Sequence, residues 1–218
     1  MRAMSVLVLV SACLGTETGN PITTEGSTSD AMTAALVPTP GAPVVDEVWI
    51  SIEGTRAILG ADCDHLGPLV GGVEGDVLGA LEVVAPHESN TCGVHVATTP
   101  SRGSVGPDSF AGATGLVRGR RPDGVPFELR TTSISAVSVQ GMTGIDLGES
   151  YVLSFDVARL LMGLDLSGPP DADGVVRIQS IEFDTRWPHA ASLFADLDGD
   201  GRLDDAERAR LPVASSHR

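Results

Sequence analysis

Val48, Ile50 and Ile52 alternate with Trp49, Ser51 and Glu53, a period of two that places every second side chain on one face and predicts a strand with one side buried. Comparable runs recur at Ala80 to Ala85, Gly93 to Thr98, Pro126 to Thr132, Ile134 to Val139, Tyr151 to Phe155 and Val175 to Ile181. Gly, Pro or Asp clusters separate most of them. Short strands punctuated in this way predict a mostly β fold, an antiparallel β-sandwich or barrel-like domain. The core must come largely from Val, Leu and Ile, because only 8 of the 218 residues are aromatic (5 Phe, 2 Trp, 1 Tyr), while 26 Gly and 14 Pro supply the turns. One helix is expected to interrupt the strands. Asp156 can cap Val157 to Leu164, whose Val157, Leu160, Leu161 and Leu164 share a face.

This length is enough for one sizeable core. The pattern starts at Val44 and gives a β-rich domain over residues 44–184. Residues 13–43 are rich in Thr, Ser, Gly and Pro, with Pro21, Pro38, Pro40 and Pro43. They read as a flexible tether whose root-mean-square span is about 30 Å. Residues 185–212 form a separate segment in which Arg186 to Phe194 is expected as a helix, with Pro188 at its first position and Trp187, Ala190, Ala191 and Phe194 on one side. Residues 213–218 read as a disordered tail.

The formal charge is -15, a surface that repels nucleic acid and anionic lipid and attracts divalent cations. Nucleic acid is therefore not an expected partner. All 14 basic residues counted as Lys or Arg are arginines. The missing lysine excludes Walker A phosphate loops, Schiff-base enzymes and Ser-x-x-Lys hydrolases. Gly-x-Ser-x-Gly and Gly-x-Gly-x-x-Gly are absent as well, so no enzyme is predicted, and an unrecognised hydrolase is the residual alternative.

The densest chemistry lies in residues 196 to 207, Asp-Leu-Asp-Gly-Asp-Gly-Arg-Leu-Asp-Asp-Ala-Glu. Six acids oppose Arg202, a formal charge of -5. Like charges about 4 Å apart cost roughly 1 kcal/mol per pair even in bulk water, so the loop calls for a cation. The spacing resembles an EF-hand calcium loop. By that resemblance Asp196, Asp198, Asp200, the Arg202 backbone carbonyl, Asp204 (through water) and bidentate Glu207 are the metal ligands, Gly201 makes the sharp turn, and Ca2+ is the cofactor. The flanks depart from the family: Ala195 stands where an aromatic usually precedes the first ligand, and Pro212 ends the exit helix early. A single loop with such flanks implies affinity of about 10⁻⁴ to 10⁻³ M, as in extracellular modules. The plainer alternative is a solvated acidic turn before a short helix.

At the other end, Arg2 precedes Val6 to Val10 and then Ser11-Ala12-Cys13. This resembles a bacterial lipoprotein signal peptide, residues 1–12, ending in a lipobox, so that Cys13 would become the lipidated first residue of the mature chain. The apolar run falls well short of the roughly 20 residues that span a bilayer. Export would place the protein in the cell envelope, lipid-anchored on the periplasmic or surface side. Leu14 favours the outer membrane, since lipoproteins kept in the inner membrane more often carry Asp there. Loss of Arg2 with the signal would move the charge from -15 to -16.

In an oxidising compartment the remaining Cys63 and Cys92 are candidates for a disulfide, closing a loop of about 30 residues at roughly 3 to 4 kcal/mol. Two alternatives stay open: free thiols, or zinc held by Cys63, His65, His87, Cys92 and His95. The predicted function is calcium-dependent stabilisation of a β-rich adhesion, binding or scaffold module, with a surface glycan or protein as partner and the membrane contacted through the lipid. The rival is a dockerin-like docking element, in which the loop itself meets the partner.

Overall fold

The computed structural model describes residues 21–27, 43–79, 81–84, 91–141, 151–161, 163–179, 181–198 and 203–216. In chain order the strands are β1 (Pro21–Ser27), β2 (Val44–Leu59), β3 (His65–Leu66), β4 (Val73–Asp76), β5 (Leu81–Val84), β6 (Thr91–Thr98), β7 (Gly115–Arg120), β8 (Pro126–Thr131), β9 (Ala136–Gln140) and β10 (Tyr151–Asp156). Then follow α1 (Val157–Leu161), β11 (Val176–Ile178), α2 (Ile181–Arg186), β12 (Ala191–Ala195), α3 (Asp205–Arg208) and β13 (Ala214–Ser215). The fold is mostly β, as the alternation predicts, with a short helix near the C-terminus.

All the strands belong to one sheet, ordered β11-β8-β7-β2-β6-β9-β13-β12-β10-β1-β5, with β3 and β4 on β2. Pairing is antiparallel except at β1 with β10 and β11 with β8. The long β2 is the pivot. Its first half pairs with β7 and its second with β6. At Ser51 the same edge changes partner: the Ser51 amide donates to the Thr114 carbonyl (3.0 Å), and the Ser51 carbonyl accepts from the Thr99 amide (3.1 Å). A register shift between Ile52 and Gly54 accompanies the change, and such a bulge bends a strand and increases its twist. The sheet thus curls around a common core in place of two separate layers.

That core follows from the period of two. Val48 and Ile50 of β2, Val94 and Val96 of β6, Val137 and Val139 of β9, and Leu153 and Phe155 of β10 are all fully or almost fully buried in one cluster. Val157, Leu160 and Leu161 of α1 join it and Leu164 packs against it, so the predicted helical face is real although the helix is shorter than expected. Trp187 stacks on Phe155 with ring centroids 5.4 Å apart.

Three expectations change. Residues 21–27, read as part of the tether, run as β1. The β-branched Ile22-Thr23-Thr24 suits extended backbone, and those residues pair with β10 on one side and β5 on the other. The rest of the tether, Cys13 to residue 20 and 28–42, lies outside the described residues. Within residues 185–212, Ala191–Ala195 form β12 of the main sheet, and Ala214 and Ser215, read as tail, form β13 there. Finally, the expected helix from Arg186 to Phe194 is a 3-10 turn, Trp187–His189, followed by β12. β10 and β13 offer pairing on both edges of Ala191–Ala195, and Ala191 and Leu193 point into the core while Ser192 and Phe194 do not.

Candidate metal centre

Asp196 follows directly on β12, so its position is set by sheet pairing one residue earlier. It is 9% exposed. Across the loop, Leu203 is buried and Asp204 caps α3. The Asp204 carboxylate accepts from the Glu207 amide (2.8 Å), and Glu207 Oε2 accepts from the Asp204 amide (3.0 Å). This reciprocal capping box gives a four-residue helix the start that its length alone would not. The other Glu207 oxygen, Oε1, accepts from the Leu197 amide (2.6 Å). One carboxylate therefore ties the start of the loop to its end.

The result is a group of three acids, Asp196, Asp198 and Glu207, whose ligand oxygens all lie within 4.8 Å of one another. Two are buried and Asp198 is exposed. Oxygens that share a hard cation at about 2.3 to 2.6 Å are separated by at most twice that distance, so this group can hold a metal ion. Its electrostatics point the same way. Glu207 is 3% exposed, and the partners that hold it are two neutral backbone amides. The other deeply buried glutamate, Glu128, is matched by Arg118 (3.6 Å) and Arg177 (3.7 Å). Among the described residues no arginine forms a salt bridge with Glu207, and a buried charge without a countercharge is costly.

Of the ligands expected from the loop spacing, the structure brings together Asp196, Asp198 and Glu207. Asp204 lies beside them as the helix cap and is exposed. Asp200 and Arg202 fall outside the described residues, as does Cys13. The capping role of Glu207 is a feature that the loop reading missed, although Asp204-x-x-Glu207 carries its signal.

Cys63 and Cys92 are joined in a disulfide, with Cα atoms 5.9 Å apart, inside the usual range for such bonds. Cys63 occupies the turn after β2 and Cys92 lies in β6, so the bond staples two neighbouring strands. It leaves neither thiolate for zinc. His65 contacts Asp64 at the surface, His95 contacts Ser138 on β9 (2.8 Å), and His87 lies outside the described residues. Burial, and then the nearby Arg56 charge, hold the His95 pKa below the ordinary imidazole value.

Compared with family models, with characterised proteins and with solved structures, the chain matches none.

Proposed function

We propose that the chain is a calcium-binding, lipid-anchored lipoprotein of the bacterial cell envelope, whose ion stabilises the C-terminal end of a β-rich adhesion, binding or scaffold domain. The observation that carries this reading is the convergence of Asp196, Asp198 and Glu207 from the two ends of one loop. A twelve-residue acidic loop with ligands at alternate positions and glycine at the sixth fits calcium by donor chemistry, all of it oxygen. Asp200, the Arg202 carbonyl and Asp204 would complete the shell. Weak affinity and constant occupancy outside the cell suit a structural ion better than a switch.

The integration of β12 and β13 into the main sheet favours this stabilising role over dockerin-like docking, in which the loop would stand apart from the domain. Anchoring rests on the lipobox-like Ser11-Ala12-Cys13. No helix among the described residues is long and apolar enough to cross a membrane.

Titration calorimetry with calcium and with magnesium, on wild type and Glu207→Gln, tests the metal reading. Calcium should bind wild type with a Kd of about 10⁻⁴ to 10⁻³ M, with magnesium weaker because it demands octahedral geometry and gives up water reluctantly. Equal heats for wild type and Glu207→Gln would reduce the site to diffuse acidic binding. Metabolic labelling with a radioactive fatty acid should mark wild type and spare Cys13→Ser; label on both would remove the anchor from the reading.

A further inference from the structure

β2, β6 and β9 carry a polar row on the face turned away from the core. Val94 and Val96 of β6 and Val137 and Val139 of β9 belong to the core cluster, so His95 and Ser138, which alternate with them, stand on the outer face. Register places Arg56 opposite His95 and His95 opposite Ser138, and all three are half-buried. Cross-strand neighbours lie about 5 Å apart at Cβ, so a ligand the size of a sugar ring can touch the whole row. The adjacent row, Gly54, Ala97 and Ala136, is small. Residues 67–71 border the site beside β2. The Gly67 carbonyl accepts from Arg56 Nη1 (3.3 Å), and a Cβ on Gly54 would lie 2.3 Å from the Gly71 carbonyl oxygen.

Charge around this row is unbalanced. Arg118, Arg120, Arg121 and Arg177 each meet a carboxylate. Arg56 forms no salt bridge among the described residues, although the chain carries a formal charge of -15. Its bond to Gly67 uses one of the five N–H donors of a guanidinium. Those that remain can match the two oxygens of a carboxylate. The neighbouring pair has a different character. His95 Nδ1 lies 2.8 Å from Ser138 Oγ. Burial, followed by the Arg56 charge, lowers the His95 pKa, so the imidazole is neutral at pH 7. A neutral imidazole has one N–H and one acceptor. If the Ser138 hydroxyl donates to Nδ1, the Nε2 hydrogen is left for a ligand; if Nδ1 donates to Ser138, the hydroxyl hydrogen is left. In both cases the pair offers a ligand one donor and at least one acceptor, the complement of a hydroxyl group.

We propose that Arg56, His95 and Ser138 form a binding site for a sugar acid, with its carboxylate on the Arg56 guanidinium and a neighbouring ring hydroxyl on His95 and Ser138. One guanidinium balances one negative charge, and the acidic chain disfavours a dianion, so a monocarboxylate suits the row better than phosphate. The net charge opposes approach from a distance, but that repulsion is largely screened beyond about 8 Å at physiological salt, whereas contacts within the row are screened much less. The site is independent of the metal reading.

Titration of the full chain with D-glucuronate, followed by amide chemical shifts at about 0.15 M salt, tests this. Chelator is present throughout, so that no calcium bridges the probe to acidic side chains. Shifts should saturate and centre on Arg56, His95 and Ser138. Glucose, which lacks the carboxylate, and acetate, which lacks the hydroxyls, should each bind more weakly. Arg56→Gln should weaken glucuronate about ten-fold, as loss of a charge-assisted hydrogen bond does, and Ser138→Ala about three-fold. Arg102→Gln, at an exposed arginine that also lacks a salt bridge among the described residues, should leave the affinity unchanged. Acetate or phosphate binding as tightly as glucuronate would reduce the row to a bare anion site and overturn the sugar acid. Equal affinity in wild type and Arg56→Gln would overturn the site, as would saturating shifts centred elsewhere or no shifts at all. Should Arg56→Gln unfold through loss of its Gly67 bond, the wild-type shift map and the comparison of probes still test the proposal.

Discussion

Glu207 answers to two demands at once. Its two oxygens accept the Leu197 and Asp204 amides, and each still has a lone pair to offer a cation. Substitutions separate the roles. In chelator, Glu207→Ala should lower stability by about 1 to 3 kcal/mol through the two amides it leaves unsatisfied, whereas Glu207→Gln, which keeps one acceptor, should cost less. Both should lose the rise in melting temperature that calcium gives wild type. Urea melts with and without calcium decide this. His95 carries a different prediction. Its pKa is lowered in the folded chain by burial and Arg56, so above the ordinary value of about 6.5 the imidazole is neutral in both folded and unfolded states and contributes no pH dependence. As pH falls below that value the unfolded chain takes up the proton first, and stability declines until the folded-state pKa is passed. His95→Gln should flatten that part of the pH profile of the melting temperature. The acids of the loop could be read from spacing alone. The contact between His95 and Ser138 could not, because it joins two strands 43 residues apart in sequence and depends on their register.

Elements were legible where alternation is strong and carried by branched residues: β2, β6, β8 and β10 lie close to where the pattern puts them. β7 was missed because Gly115-Leu-Val-Arg-Gly-Arg120 shows two glycines and two arginines where a strand signal would need apolar alternation. The reason for one of those glycines is spatial. A Cβ on Gly119 would lie 2.2 Å from the Val44 carbonyl oxygen and 2.8 Å from the Phe127 ring. Gly119→Ala should therefore destabilise the fold by about 1 to 3 kcal/mol, as overpacking against backbone does, and chemical denaturation would reveal it as a lower midpoint at unchanged slope. β12 was missed for the opposite reason. Trp187, Ala190, Ala191 and Phe194 fit a helical stripe, but pairing with β10 and β13 overrides a weak local preference. The buried members of that stripe, Trp187, Ala190 and Ala191, still face the core.

At the scale of the whole molecule, the disulfide joins the end of β2 to β6 across 29 residues. Chain entropy gives it about 3 to 4 kcal/mol, so reduction should lower the urea midpoint substantially and leave the calcium heat intact, as the bond is remote in sequence from the acidic loop. Loss of the calcium heat on reduction would show that the two sites are coupled through the sheet. β1 has a further consequence for where the molecule sits. Its first residue, Pro21, is already paired with Val84 of β5, and the next, Ile22, with β10 as well. On the proposed acylation of Cys13, the leash would be eight residues and not thirty, and even fully stretched it would reach about 26 to 29 Å. That reach would keep the strongly acidic domain low over the lipid headgroups, where divalent ions gather and where its own negative charge would otherwise drive it away.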